Sequence, residues 1–175
     1  SAIVSSKISN VDVFSICSEK NFSFVNYLKI TNGAVVLSHS VEVKKKLDEK
    51  DVAILQFVIT DLRKKFNSVS KTIFCSIPIT NFWDNTKLFV PKIGDKKKLI
   101  DLSLRNAKYM QGGFIGYLSN QKEISFEKMK TAVIYGSVMA SFCVEKFGTE
   151  RLTEISQQDV QERAQKFIDL SSFDI

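Results

Sequence analysis

Apolar residues recur in short runs broken by polar turns along the first third of the chain. Val13, Phe14, Ile16 and Cys17 stand within residues 12–18 and predict a strand, and Glu19-Lys20-Asn21 follows as a turn. Residues 22–30 (FSFVNYLKI) mix aromatic, β-branched and polar side chains and predict a second strand. Asn32-Gly33 separates this run from residues 34–43 (AVVLSHSVEV), the returning strand. Asn-Gly is a strong hairpin signal because both central positions of a type I′ turn take positive φ. From Asp48 onward the period changes. Val52, Leu55, Ile59, Leu62 and Phe66 recur at three- and four-residue spacing, which predicts one buried face of a helix over residues 49–66, capped by Asp48. Arg63, Lys64 and Lys65 fall at its C-terminal end, where the helix dipole favours cations, and Asn67-Ser68 closes it. Residues 71–79 (KTIFCSIPI) read as a largely apolar strand, central and parallel to the first.

The order β-β-β-α-β is the opening topology of the ribonuclease H-like fold, so the expected class is α/β (α+β). That fold often hosts two-metal nuclease chemistry, which needs carboxylates clustered on the strands. Here the first strand offers only Asp12 at its mouth and the third only Glu42, and the fourth offers none. The expectation is a catalytically inert copy, with Asp12 and Glu42 as surface residues and with no catalytic residues, metal or cofactor.

A basic segment follows. A short apolar run ends at Val90-Pro91, Ile93-Gly94-Asp95 forms a turn, and Lys96, Lys97 and Lys98 lead into an amphipathic helix with Leu99, Leu102, Arg105 and Asn106. Beyond Met110 the pattern is nearly pure helix. The glycine-rich stretch 111–118 runs into helix, and Ser125 caps a helix over 126–147 with Met129, Ala132, Val133, Gly136, Ala140 and Val144 on a small-residue face ended by Gly148. Ser156 and Asp159 resemble a capping box opening a last helix to about Leu170, with Val160, Ala164, Phe167 and Ile168 inward. Two regions result, 1–109 and 110–175.

Charge separates them. Residues 1–109 hold 18 Lys and Arg against 10 Asp and Glu, a net +8, whereas 110–175 hold 7 against 9, a net −2. A basic excess confined to one region suits a polyanionic partner. Lys44, Lys45 and Lys46 read as a solvated hairpin end that could extend the same basic surface as Lys96, Lys97 and Lys98. Cys17, Cys75 and Cys143 are dispersed in apolar surroundings and read as reduced thiols of a cytoplasmic protein. His39 is the single histidine and reads as a surface or half-buried polar residue on a strand, and Trp83 reads as a loop anchor. No apolar run reaches the length of a membrane span and the first residues do not read as a secretory signal, so no membrane partner is expected.

The segments NVDVFSICSEKNFSFVNYLKITNGAVVLSHSVEVKKKLDE and LFVPKIGDKKKLIDLSLRNAKYM resemble the central part of UvrC, the excinuclease ABC subunit of bacterial nucleotide excision repair, over residues 8–109. The resemblance implies a scaffold with a basic surface, with Lys92, Lys96, Lys97, Lys98 and Arg105 as phosphate-contact candidates, and DNA and other excision-repair subunits as partners. The family's catalytic aspartates find no matching positions here. Residues 111–173, from GGFIGYLSN to DVQERAQKFIDL, resemble the C-terminal helices of PfkB-type sugar or nucleoside kinases, which implies ATP-dependent phosphotransfer as the alternative function. In that family a Gly-Ala-Gly-Asp anion hole precedes the GGF. Arg105-Asn106-Ala107-Lys108 stands there instead, so the glycines and the catalytic Asp are replaced, and Gly112 and Gly113 are expected to serve packing. A third reading is a fused chain with no activity of its own.

Overall fold

The computed structural model describes residues 7–81, 83–145 and 155–171. The chain divides into two compact units, Ser1–Ala107 and Lys108–Ile175.

In the first unit, β1 (Val11–Ser18), β2 (Phe22–Thr31) and β3 (Ala34–Lys44) form an antiparallel meander, and α1 (Asp51–Lys65) crosses over to β4 (Thr72–Cys75). β5 (Lys87–Phe89) follows, and the sheet order is β3-β2-β1-β4-β5, with β4 parallel to β1 and β5 parallel to β4. Asn32 and Gly33 carry the positive φ the hairpin requires, 50° and 74°. Strand alternation sends successive residues of β1 to opposite faces. Phe14 and Ile16 join Val25, Tyr27, Ile73 and Cys75 against Ile54, Leu55, Val58, Ile59 and Leu62 of α1. Val11 and Val13 join Leu28, Ile30 and Phe74 against Leu99 and Ile100 of α2 (Gly94–Ser119). The result is a mixed α/β unit of ribonuclease H-like type with a helix on each face, followed by a helical region.

Several boundaries differ from the sequence reading, each for a local reason. Asp48 does not cap α1: it sits at φ 59° in the preceding loop, and Lys50 takes the cap position without a side-chain hydrogen bond. β4 ends at Cys75, ahead of Pro78, which has no N–H to continue a ladder. β5 is three residues long, too short to show a period. Gly94 begins α2 at φ 72°, a backbone demand rather than a steric one, since a Cβ there would meet nothing within 4 Å.

In the second unit the latter part of α2, α3 (Phe126–Glu145) and α4 (Gln157–Ser171) supply the helices. Glycine does not interrupt α2. A Cβ on Gly113 would lie 2.7 Å from the Tyr135 carbonyl, and one on Gly136 would lie 2.8 Å from the Met110 carbonyl, so this pair of glycines sets a close helix crossing. Gly112, also expected to pack, faces open space. The Ser125 hydroxyl accepts the Lys128 N–H at 3.2 Å. Ser156 and Asp159 form the reciprocal cap: the Ser156 N–H donates to the Asp159 carboxylate at 2.8 Å and the Asp159 N–H to the Ser156 hydroxyl at 3.1 Å. Val138, Phe142 and Ala164 make the α3–α4 core. Phe147 and Gly148 lie outside the described residues, as do the side chains of Cys143 and Val144.

Candidate functional site

The one carboxylate at the mouth of β1 is not a surface group. Asp12 is fully buried and its two oxygens accept three hydrogen bonds. Tyr27 Oη donates to Oδ1 at 2.8 Å, Ser68 Oγ donates to Oδ2 at 2.6 Å, and Arg63 Nη1 pairs with Oδ2. The helix end delivers two of these partners. Asn67 adopts φ 47° and the Ser68 N–H returns to the Arg63 carbonyl at 2.8 Å, a Schellman-type closure that turns Ser68 toward Asp12. Arg63 Nη2 also donates to the Ser70 carbonyl at 2.9 Å. Burial first, and then the adjacent Asp12 charge, push the Tyr27 hydroxyl above its ordinary range, which keeps it a donor. Asp12 thus ties β1, β2, α1 and the loop after α1 together. Glu42 is half-buried on β3, and burial raises its pKa against the lowering effect of Lys44. Among the described residues no group of three or more His, Cys, Asp or Glu side chains is placed to hold a metal ion.

The opposite face of the sheet carries a second polar cluster beneath α2. Ser15 and Ser103 hydroxyls lie 2.7 Å apart, and Ser103 also donates to the Asn26 carbonyl at 3.1 Å. Asn26 and Asn106 both donate from Nδ2 to Ser38 Oγ at 3.2 Å. Ser103 and Asn106 therefore fix the helix over the strands, and Asn106 and Ala107 are buried rather than presented to a ligand. Arg105 is half-buried, and residues 105–108 lie in the interior of α2. Backbone N–H groups inside a helix are engaged by its own carbonyls, so these positions form no anion hole.

The candidate basic residues divide into two groups. Lys44, Lys45 and Lys46 leave the sheet from β3, and Lys92 and Lys96–Lys98 follow β5. β3 and β5 are the two outer strands, four strand spacings or about 19 Å apart. The groups exit at the same end of the sheet but at opposite edges. The β3 group is partly neutralised. Lys45 pairs with Asp51 at 3.6 Å, and Lys45 and Lys46 share a cleft of about 370 Å³ with Lys20, Asn21, Leu47, Asp48 and Glu49. In the β5 group Lys97 pairs with Asp101 and Lys98 with Asp95 at 3.2 Å. Lys92 is exposed, and Lys96 Nζ stands 5.7 Å from the Phe74 ring centre and 5.8 Å from that of Phe89. Lys87, exposed on β5, was not among the sequence candidates because its strand was not recognised.

Trp83 packs against the α1-side core and donates from Nε1 to Thr60 Oγ1 at 3.3 Å, as a loop anchor does. His39 lies edge-on to Phe66 at 5.0 Å, and burial, then Lys65, lowers its pKa. Cys75 is buried as a free thiol and its pKa is pushed up to about 12 by burial. No helix among the described residues is long and apolar enough to cross a membrane.

A single five-stranded sheet with a helix on each face, opening in the order β-β-β-α-β, defines a ribonuclease H-like unit. Residues 10–112 match the family described as the UvrC Ribonuclease H-like domain, and the chain belongs to that family. Similar proteins include the UvrABC system protein C of Flavobacterium johnsoniae, 47% identical over 109 residues, and that of Christiangramia forsetii, 42% identical over 111 residues. These alignments cover 62% and 63% of this chain but 18% of each relative. The chain thus spans under a fifth of the length of these relatives. The UvrABC system protein C of Porphyromonas gingivalis is 27% identical over 137 residues, 77% of this chain and 22% of that protein. A match of that length cannot fit within the first 112 residues, so it runs past the position where the sequence pattern suggested a join. The sugar-kinase resemblance of residues 111–173 gains no support from these relatives.

Proposed function

We propose that this chain is a non-catalytic, DNA-binding scaffold module of a UvrABC-type excision-repair system. The observation that supports it most directly is the role of Asp12. The one carboxylate placed where a ribonuclease H-like nuclease would use it is buried under Arg63, Tyr27 and Ser68, so the fold consumes it. A unit of this family with a net +8 over residues 1–109 is suited to contact phosphates without cutting them. Lys92 and Lys96 are the leading phosphate contacts, because Lys97, Lys98 and Lys45 already have acidic neighbours. Binding to a labelled duplex should fall steeply with salt. Lys92→Ala and Lys96→Ala should each reduce the slope of log K against log salt by roughly one. Lys45→Ala should reduce it by less. Absence of binding at about 50 mM salt would remove this reading.

A further inference from the structure

Phe89 occupies an unusual position for a large apolar residue. It is the last residue of edge strand β5 and is 45% exposed. Its register partner is Phe74, which is buried in the α2-side core, so Phe89 continues that apolar row outward to the sheet edge. The two rings meet edge-on at 6.3 Å. Lys96 places its ammonium over Phe89. Lys87, two residues earlier, projects from the same side of the strand and is exposed, as is Lys92 in the following turn. Ile93, next to Lys92, is 84% exposed. An aromatic held at its inner edge, with its outer part in solvent, a lysine ammonium over its ring and exposed lysines two residues before it and three after it, is an arrangement suited to gripping a single nucleic-acid strand. Bases stack on the ring while the cations follow the phosphates. A duplex keeps its bases stacked on one another and offers the same edge only phosphates.

We infer that the Lys87–Phe89–Lys92–Lys96 edge is a single-strand nucleic-acid site in which Phe89 stacks on an unpaired base. This rests on the DNA-binding reading above and adds the strand state of the ligand and the residue that reads it. The charge complementarity is local. Among the described residues Lys87, Lys92 and Lys96 have no salt bridge, whereas Lys97 and Lys98 do. The Lys96 ammonium, 5.8 Å from the Phe89 ring centre, sets a positive charge close to where the phosphate of a stacked base would run.

The test compares binding of the full chain to an oligo-dT of about ten nucleotides with binding to a duplex of the same length, by fluorescence anisotropy at about 50 mM salt. Phe89→Leu keeps the apolar contact with Phe74 and removes the π face, so folding is preserved, which a melting curve checks. The expected result is a loss of roughly ten-fold or more in oligo-dT affinity with duplex binding unchanged. Phe89→Trp should retain the affinity and show tryptophan quenching on binding. Oligo-dT binding by Phe89→Leu equal to that of the parent, or an equal loss on both ligands, overturns the single-strand assignment while leaving DNA binding intact. Binding to neither ligand by the parent chain overturns both.

Discussion

Removing the Asp12 side chain tests the claim that this carboxylate serves the fold. In Asp12→Ala, the Arg63 guanidinium, whose side chain is 12% exposed, loses its counter-charge, and the buried Tyr27 hydroxyl loses its acceptor. Stranding one member of a buried pair costs about 3–5 kcal/mol, and an orphaned buried hydroxyl about 1–3 kcal/mol. The two effects overlap because both groups converge on one carboxylate, so the net expectation is about 4 kcal/mol. At about 4 °C per kcal/mol for a domain of this size, the melting temperature should fall by about 15 °C. Arg63→Met alone should also be costly, since it buries an unpaired carboxylate. Asp12→Asn combined with Arg63→Met should recover much of the loss, because neither charge is then left uncompensated. Urea and thermal melts followed by circular dichroism give the values. A cost below about 1 kcal/mol for Asp12→Ala, or a gain, would refute the reasoning, for a gain is what a strained functional carboxylate gives on removal.

The helical unit offers a paired comparison. Gly113→Ala should destabilise by about 1–3 kcal/mol because the added methyl meets the Tyr135 carbonyl at 2.7 Å. Gly116→Ala, three residues on in the same helix and facing open space, should stabilise by up to about 1 kcal/mol, and calorimetry of both variants reads the contrast directly. The lowered pKa of His39 means that the unfolded chain takes up a proton before the folded one does. Its contribution is therefore present above the unfolded value near 6.5 and is lost as pH falls below it, and His39→Phe should flatten that part of the stability–pH curve. Glu42 has the opposite sign: its raised pKa makes the charged form a burden above about 4.5, so Glu42→Gln should raise the melting temperature at neutral pH and lose that advantage in acid.

The hairpin, the α1 face apart from Val52, which is 40% exposed, and the caps at Ser125 and Ser156 were legible in the sequence because each rests on neighbours within four residues. Asn32-Gly33 needs only itself to set a turn. Asp12 was misread because nothing within ten residues of it reveals a partner. Arg63 and Ser68 lie 51 and 56 positions away, and only the Schellman closure after α1 brings them in. β5 was missed for want of length, and with it Lys87 and Phe89. The packing role expected of Gly112 and Gly113 holds for Gly113 alone, because the partner that decides it, Gly136, lies 23 residues on in another helix and no local pattern separates the two glycines. Whether the two lysine runs met could not be read at all, since sheet order decides it.

The Asp12 tie also has a consequence in time. Its three partners are separated from it by 15, 51 and 56 residues, so it closes only once the hairpin has paired and α1 has both formed and docked. Contacts that close such large loops slow folding when the transition state contains them, whereas contacts completed after it chiefly slow unfolding. If the buried carboxylate latches an already assembled sheet, Asp12→Ala should raise the unfolding rate more than it lowers the folding rate, and stopped-flow chevrons of parent and variant read that partition.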